Sequence, residues 1–475
     1  MRPNVLLIVF DTARADAFEP YGAGEGAGPT VGQLARRGVA FPSTIAPSNW
    51  TMPSHASMFT GALPRSIGLA GAPGGQPANC RPVLMAQRDR LLPEVLRRSG
   101  YATAAISCNG WISPPTGFDT GFDRFEDIHT QRQGKLHSDG FRGRMAWAVE
   151  AMRARVDDGA RMAEQVLTRW LQDGPSAPFF WFVNLVECHS PYMPPRPYND
   201  LSVRERLRVA ADARNHLTLT EFWHAALADY ELPADTIGRM RHLYGRSIRS
   251  MDDWLARVLE SLDRAKVLDD TIVIVTSDHG ENFGEGQMIG HSFSLDQRLI
   301  WVPFVIAGPD RIAAERGMSL ACLPRLIADA AGLDDHPWEV DPVPPGIGVS
   351  QYSGVIQRDD PRAQKAITDW RLDEEGILRL TCPATSATDG RWKVLRNGEL
   401  VRVFDLQSDP FEVAPLVGAR PPEARAAIDR LSATVDAAHP DPPPITPAPV
   451  PEGARGTSDA ETADLEDRLR ELGYL

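Results

Sequence analysis

The sequence predicts an α/β fold, with a large, mostly parallel sheet flanked by helices and a small C-terminal antiparallel subdomain. Residues 5–10 and 271–276 are continuous apolar runs, which are typical of strands buried on both faces of a parallel sheet. Strand-like and helix-like patterns alternate through the first 125 residues, as is typical of parallel sheets. After about residue 365, short strand candidates separated by turn residues predict the antiparallel part.

The first strand is followed by a glycine-rich loop and a short helix. The loop at residues 21–28 does not open a helix with the G-x-G-x-x-G spacing of a dinucleotide site, so we predict an ordinary connecting loop. Thr30 precedes an amphipathic stretch at residues 31–37, and we expect it to cap that helix.

Further elements complete a main domain that we place at residues 1–365. Residues 130–250 are rich in helix formers and in charge, and we predict a helical insertion or lid around one strongly apolar strand. The other candidates are a helix at residues 91–98, strands at 101–107 and 179–186, a helix at 248–262 and a strand at 302–306.

Three parts follow the main domain. Residues 366–438 predict an antiparallel subdomain, with strands at 377–381, 392–396 and 400–404 and hairpin turns at Asp389-Gly390 and Asn397-Gly398. Residues 439–458 are dense in proline and predict an extended linker. Residues 459–475 have the pattern of a short charged helix, which docks on the body or on another subunit. This tail is our candidate contact for a homo-oligomer.

The composition limits the kinds of partner. A formal net charge of −13 argues against a nucleic-acid partner, whereas a local metal ion can still hold a small anionic substrate. The five cysteines are few and widely spaced, which fits a reducing compartment. We find no signal-peptide pattern and no apolar run of bilayer length, so we expect a cytoplasmic protein without a membrane partner.

Four distant side chains are predicted to meet at one edge of the sheet. Asp11 follows the first apolar run, Asp278 and His279 follow the run at 271–276, and Thr51 opens a T-M-P-S-H segment. The carboxyl ends of parallel strands form the edge at which open α/β sheets bind ligands. A single acidic residue after a strand is often only a turn residue, but the combination favours one metal site.

A threonine hydroxyl is a weak nucleophile at neutral pH unless its pKa is lowered. A divalent cation does this for bound water, from about 15.7 to about 7. The mixed oxygen and nitrogen ligands Asp11, Thr51, Asp278 and His279 favour Mn²⁺ or Zn²⁺ over Ca²⁺ or Mg²⁺. We expect Ser54 to cap a helix that starts just after it, so that the helix N-terminus attracts a tetrahedral anion beneath Thr51.

Two histidines are candidates for the proton donor. His189 follows the strand at 179–186, and His291 follows a glycine-rich loop after Asp278-His279. Imidazole titrates near neutrality and suits this role, although a lone histidine is more often structural. We predict that both protonate the leaving group or bind substrate oxygens, and we also assign His55 and Asn109 to substrate binding.

These segments resemble the sulfatase and alkaline-phosphatase superfamily. Residues 4–16 are similar to the first strand of sulfatases, and residues 51–61 (T-M-P-S-H-A-S-M-F-T-G) are similar to the C-x-P-S-R…T-G signature. Residues 277–281 (S-D-H-G-E) resemble the second metal strand, and residues 189–192 (H-S-P-Y) resemble the H-x-P-Y element. The resemblance implies an alkaline-phosphatase-like fold, one divalent metal ion and an anionic ester as substrate.

Two departures from the sulfatase pattern change the expected chemistry. Sulfatases carry a cysteine or serine that becomes formylglycine where this chain has Thr51, and an arginine where it has His55. Thr12 stands where sulfatases often have a second acidic ligand. The remaining ligands, and the position of His291, resemble the phosphoethanolamine transferases and lipoteichoic acid synthases of the superfamily, which carry a phospho group on threonine.

Thr51 favours phosphorus over sulfur. A formylglycine hydrate expels sulfate by elimination, whereas a sulfated threonine has no second hydroxyl on that carbon. Water can attack a phosphorylated threonine at phosphorus. We therefore expect a metal-dependent hydrolase of phosphodiesters or phosphonate monoesters that acts through phospho-Thr51. The alternatives are a sulfatase without formylglycine, a soluble phosphotransferase and a non-catalytic binding protein on the same fold.

Overall fold

A seven-stranded sheet lies at the centre of the computed structural model. The structure describes residues 2–24, 26–69, 80–128, 140–176, 178–228, 230–309, 318–354, 356, 358–417 and 421–439. The predicted linker at 439–458, beyond its first residue, and the predicted helix at 459–475 therefore lie outside the described residues. Within the described residues, no helix combines the length and the apolar character needed to cross a bilayer.

The strands are, in chain order, β1 Asn4–Phe10, β2 Val39–Ala40, β3 Thr44–Ile45, β4 Ala102–Ser107, β5 Arg124–Asp127, β6 Phe179–Leu185, β7 Thr271–Thr276, β8 Asn282–Phe283, β9 Ile289–Gly290, β10 Trp301–Val302, β11 Phe304–Ala307, β12 Met318–Ser319, β13 Gly348–Tyr352, β14 Ala384–Thr388, β15 Trp392–Asn397 and β16 Leu400–Asp405. The described α-helices are α1 Pro29–Arg37, α2 Thr51–Thr60, α3 Cys80–Ala86, α4 Leu92–Arg98, α5 Gly140–Arg153, α6 Ala160–Gln172, α7 Val203–Asn215, α8 Leu219–Leu227, α9 Ala234–Arg264, α10 Gln297–Ile300, α11 Leu323–Ala330, α12 Pro361–Asp369, α13 Glu374–Thr381 and α14 Arg425–Ala438.

The central sheet is mostly parallel, as the apolar runs predict. Its strand order is β2-β11-β7-β1-β6-β4-β5, and β1 pairs in parallel with both β6 and β7. Strand β11 runs antiparallel to β7 and carries the short β2 on its outer edge. The expected α/β fold is thereby confirmed, and the predicted strand inside the helical region 130–250 becomes a neighbour of β1.

Both faces of the sheet are covered, and this explains why β1 lacks polar alternation. Leu6, Ile8 and Phe10 enter one apolar core, whereas Val5 and Leu7 enter the other. All seven residues of β1 are buried. Burial on both faces removes any position at which a polar side chain could reach water, so the strand is a continuous apolar run.

The second sheet forms the predicted antiparallel subdomain. Strands β13, β14, β15 and β16 pair in sequence order, and turns with a positive φ at Gly390 and Gly398 join the last three. Helix α14 packs on β14 and β15. The sheet takes its first strand from Gly348–Tyr352, which lies before the boundary that we placed at residue 366.

Three local predictions were wrong. Residues 377–381 belong to helix α13, because Asp373 caps its first turn by accepting the Gly376 amide. Helix α1 begins at Pro29 and contains Thr30, so Thr30 is not its cap. The carboxylate of Asp252 on α9 instead accepts the amides of Thr30 and Val31. Pro303 divides the predicted strand at 302–306 into β10 and β11.

Candidate active site

Three buried side chains form a candidate cation site at the carboxyl end of β1 and β7. One potential ligand atom each from Asp11, Asp278 and His279 lies within 4.8 Å of the others. All three residues have no exposed surface. His279 Nε2 lies 3.4 Å from Asp278 Oδ2 and 4.0 Å from Asp11 Oδ1. The parallel pairing of β1 with β7 is what brings together residues 267 positions apart.

The hydrogen bonds around the two carboxylates leave one oxygen of each available for a cation. Asn109 Nδ2 donates to Asp11 Oδ2 at 2.6 Å, and the amides of Thr12 and His279 donate to Asp278 Oδ1. Asp11 Oδ1 and Asp278 Oδ2 have no hydrogen-bond partner among the described residues, although both are buried. Two orphaned buried carboxylate oxygens beside an imidazole nitrogen fit a divalent metal ion.

The electrostatics of the site agree with this fit. Burial raises the pKa of Asp11 and of Asp278, and the negative charge of Asp11 raises that of Asp278 further, whereas the charge of His189 and the hydrogen bond from Asn109 offset the shift at Asp11 only in part. Burial also lowers the pKa of His279 well below its usual value. His279 Nδ1 lies 3.0 Å from the Gly280 carbonyl, to which a neutral ring donates, so Nε2 keeps its lone pair toward the carboxylates.

Thr51 stands at the first position of α2 and faces this cluster. Its Oγ1 lies 3.3 Å from His279 Nε2. The helix begins at Thr51 itself, so the expectation that Ser54 caps a helix starting after it was wrong. Ser54 Oγ instead donates to the Asp278 carbonyl at 2.7 Å, which ties α2 to the metal strand. Trp50, the residue before α2, makes no capping hydrogen bond with its side chain, so the helix N-terminus lies at Thr51 with its first amides uncapped by that residue.

His55 lies one helical turn after Thr51 in α2, and each of its ring nitrogens has a close polar partner. Its Nδ1 is 2.9 Å from the Thr51 carbonyl and 3.5 Å from Asp278 Oδ2, and its Nε2 is 2.7 Å from Asn184 Nδ2. Burial lowers the pKa of His55 to about 4, so the ring is neutral at physiological pH. Substrate binding by His55 stays a prediction, and this geometry favours a role in positioning Thr51.

His189 and His291 meet at the open side of the cluster. Their ring centroids lie 5.2 Å apart, and the His291 ring lies 4.5 Å from that of His279. His291 Nδ1 is 3.0 Å from Glu281 Oε1. Burial opposes protonation of His291, but the charge and hydrogen bond of Glu281 outweigh it and raise the pKa of His291. The predicted convergence is present, and the roles of both histidines stay predictions.

Sequence reasoning missed the residues that hold the histidines in place. Glu281 accepts from Tyr192 at Oε2 and faces His291 at Oε1, while Asn184 holds His55. Arg14 forms an ion pair with Asp16 and also donates to the Glu281 carbonyl. Glu281 closes the S-D-H-G-E motif and Tyr192 closes H-S-P-Y, so their places in these motifs were the available signal.

Comparisons with known proteins agree with this architecture. The family model described as Sulfatase matches residues 3–332. Over 450 residues the chain is 23% identical to the choline-sulfatase of Rhizobium meliloti (strain 1021), covering 87% of this chain and 82% of the relative. It is 25% identical over 483 residues to the multifunctional alkaline phosphatase superfamily protein PehA of Trinickia caryophylli, covering 88% and 91% of the two chains.

Solved structures show the same fold. The phosphonate monoester hydrolase of Agrobacterium radiobacter superposes with a TM-score of 0.60 and 20% identity, covering 92% of this chain and 94% of that one. A putative sulfatase from Bacteroides thetaiotaomicron VPI-5482 gives a TM-score of 0.64 and 16% identity, with 92% of each chain covered. Because the family model spans more than half of the sequence, the chain belongs to the sulfatase family of the sulfatase and alkaline-phosphatase superfamily.

Proposed function

We propose that this ester hydrolase of the sulfatase family acts on phosphodiesters or phosphonate monoesters through a covalent phospho-Thr51 intermediate. The observation that carries the proposal is the position of Thr51 Oγ1, 3.3 Å from His279 Nε2 and at the N-terminus of α2. A hydroxyl in that position can reach a phosphorus atom whose oxygens bind the helix amides.

Asp11, Thr51, Asp278 and His279 would hold one divalent ion, for which the ligand types favour Mn²⁺ or Zn²⁺. The ion would lower the pKa of the Thr51 hydroxyl and neutralise charge on the bound ester. The buried His55 keeps the first turn of α2 fixed, so that Thr51 Oγ1 faces the substrate throughout.

The proposed reaction has two displacements at phosphorus. In the first, Thr51 Oγ loses its proton to solvent and bonds to phosphorus, and the bond to the leaving alcohol oxygen breaks. His189 or His291 gives that oxygen a proton. In the second, water attacks phosphorus, the same histidine takes its proton, the bond to Thr51 Oγ breaks and Thr51 Oγ takes a proton from solvent, which restores the enzyme.

The choice of phosphorus over sulfur rests on how the covalent adduct on Thr51 can be hydrolysed. Thr51 has one hydroxyl on its β-carbon, so a sulfate ester there cannot be expelled by the elimination that a formylglycine hydrate allows. Attack by water at phosphorus needs no second hydroxyl. PehA, named as multifunctional within the alkaline phosphatase superfamily, and the phosphonate monoester hydrolase of Agrobacterium radiobacter support this choice.

The matched test compares p-nitrophenyl phosphodiester, phosphonate and sulfate esters on wild type, Thr51→Ala and Thr51→Ser. We expect turnover of the phosphorus esters by wild type, a loss of at least 1000-fold in kcat for Thr51→Ala and retained turnover for Thr51→Ser. Intact mass after acid quenching should show a phospho adduct in wild type that is absent from Thr51→Ala. Full turnover by Thr51→Ala would refute the covalent mechanism.

A sulfatase that works without formylglycine is the second candidate, and the similarity to choline-sulfatase favours it. Hydrolysis of the sulfate ester alone in the same panel would support it over the phosphorus chemistry.

The main proposal also includes three further expectations: a small anionic ester as the substrate, hydrolysis rather than phosphotransfer as the reaction, and a location in the cytoplasm. A phospho adduct that is passed to an added alcohol faster than to water would identify a phosphotransferase. A chain that binds Mn²⁺ but turns over no ester would be a binding protein.

A further inference from the structure

A groove far from Thr51 in sequence combines an arginine rim with an apolar floor. It lies between α6, α9 and the segment around residues 195–198, and it encloses about 1060 Å³. Arg161 and Arg169 from α6 and Arg196 from the segment line it. We call it the arginine groove.

The groove carries more positive than negative charge, because four arginines line it together with two acidic residues, Asp157 and Glu164. Arg161, Arg169 and Arg196 are exposed, and their side chains form no ion pair or hydrogen bond with the described residues. A fourth rim residue, Arg257, is paired with Glu164 at 2.9 Å. In a chain with a net charge of −13, three unpaired guanidinium groups around one cavity are a local exception that favours an acidic occupant.

The floor of the groove is apolar. Met251 and Trp254 of α9 lie under the groove and are already buried, and Trp254 Nε1 donates to the Ala160 carbonyl, which holds the indole between the two helices. Met162 on α6 also lines the groove and is 49% exposed. A polyanion without an apolar face would leave Met162 uncovered, whereas an acidic amphipathic helix would cover both Met162 and the rim.

The chain itself contains such a segment. Residues 459–475 include six acidic and two basic residues, a net charge of −4. Leu465, Leu469 and Leu472 stand at i, i+4 and i+7, the spacing that puts apolar side chains on one face of a helix. The acidic side chains flank that face, which complements an apolar floor bordered by arginines.

The proline-dense linker gives this segment a reach that is large compared with the dimensions of the chain. The 19 residues from 440 to 458 span up to about 59 Å at about 3.1 Å per residue in an extended proline-rich conformation. A compact chain of this length has a radius of gyration of roughly 23 Å. Because the segment complements the groove and the linker has this length, we propose that residues 459–475 dock as an acidic amphipathic helix in the arginine groove of the same chain.

Photo-crosslinking of the full-length chain tests this docking. Gln165 lines the groove and is exposed, so p-benzoylphenylalanine at this position should fold and form an adduct with a peptide from residues 459–475 after irradiation and digestion. The same amino acid at Lys365, exposed on α12, should give no such adduct. Failure to find the adduct at Gln165 in a folded chain would overturn the proposal.

Charge reversal separates a specific contact from random collision. Arg161→Glu with Arg169→Glu should reduce the adduct yield at least tenfold. Adding Asp464→Arg and Glu471→Arg to that variant should restore it, because the two signs are exchanged together. An adduct that is insensitive to both changes would contradict docking by charge.

Two further measurements test whether the tail of the same chain occupies the groove. An adduct with the mass of two chains would overturn docking within the chain and assign the groove to a second copy, as expected of a homo-oligomer formed through the tail. Removal of residues 459–475 should also increase retention on heparin more in the wild-type chain than in Arg161→Glu/Arg169→Glu, because only the wild-type groove exposes its arginines again. An equal increase in the two chains would reflect only the lost negative charge and would show that the tail does not cover the groove.

Discussion

At the scale of single residues, the unusual feature of this chain is a neutral histidine where sulfatases have an arginine. His55 connects three segments, since its ring contacts the Thr51 carbonyl, Asp278 Oδ2 and the Asn184 amide. It carries no charge at neutral pH because burial lowers its pKa to about 4. We infer that His55 fixes the nucleophile and one metal ligand relative to β6.

Replacing His55 should therefore harm both folding and turnover. His55→Ala leaves buried partners without hydrogen bonds and creates a cavity, so we expect a loss of about 3 kcal/mol in the free energy of unfolding. The value of kcat should fall much more than KM changes, because Thr51 loses its fixed position. Urea denaturation and steady-state kinetics measure the two effects.

Ser57→Ala is the matched control within the same helix. Ser57 is fully buried in α2, and its Oγ has no hydrogen-bond partner among the described residues. We expect the loss of the Ser57 hydroxyl to change stability and kcat little.

The double variant His55→Ala/Asn184→Ala tests the contact between the ring and the amide. If its loss of free energy of unfolding equals the sum of the losses of the two single variants, the two side chains are not energetically coupled.

At the scale of elements, carboxylates from distant segments accept hydrogen bonds from the free amides at two helix N-termini. Asp252 of α9 accepts two amides of α1, and Glu187, just after β6, accepts the Ala160 amide at the start of α6 at 2.6 Å. Such contacts fix a helix relative to the sheet as well as satisfying its free amides. The cap at α6 also positions one wall of the arginine groove.

The Glu187 cap makes stability depend on pH. Burial, with the nearby charges of Asp158 and Asp157, raises the pKa of Glu187 to about 8. Because the folded-state value lies above the unfolded value of about 4.3, the folded state binds the proton more tightly. The resulting stability is present below about pH 4.3 and is lost as the pH rises through about 8, by at most about 1.4 kcal/mol per pH unit.

Glu187→Gln should remove this dependence. The amide imitates the protonated acid, so we expect the variant to match wild type near pH 4 and to exceed its free energy of unfolding at pH 8.5. Denaturation by urea at several pH values measures the difference. Glu260→Gln, the same chemical change at an exposed position of α9, should show no such trend. A parallel pH dependence in wild type and Glu187→Gln would contradict the assignment to Glu187.

At the scale of the whole molecule, parallel strand pairing assembles the site. Strands β7, β1, β6 and β4 are neighbours, and they deliver Asp278, Asp11 and Asn109 to one edge of the sheet. Two buried carboxylates without a countercharge oppose folding, so a bound cation should stabilise the entire domain.

Cation binding should accordingly raise the melting temperature. At a Mn²⁺ concentration one hundred times Kd we expect about 2.7 kcal/mol of added stability, which differential scanning calorimetry would record as an increase in Tm. EDTA should reverse it. Asp278→Asn should lose the response, and Asp369→Asn, a change of an exposed carboxylate on α12, should keep it. An undiminished response in Asp278→Asn would place the cation elsewhere.

The sequence by itself determined the central strands and the acidic residues at their ends, whereas the structure moved the start of α2 to Thr51. These features are local: continuous apolar runs follow from burial on both faces, and strand ends share an edge in any parallel sheet. Only the tertiary structure decided that Asn184 holds His55, that Glu281 holds His291 and that Asp252 rather than Thr30 caps α1. Each of the latter depends on side-chain packing between segments, most of them more than 100 residues apart, and no periodicity of the chain encodes such packing.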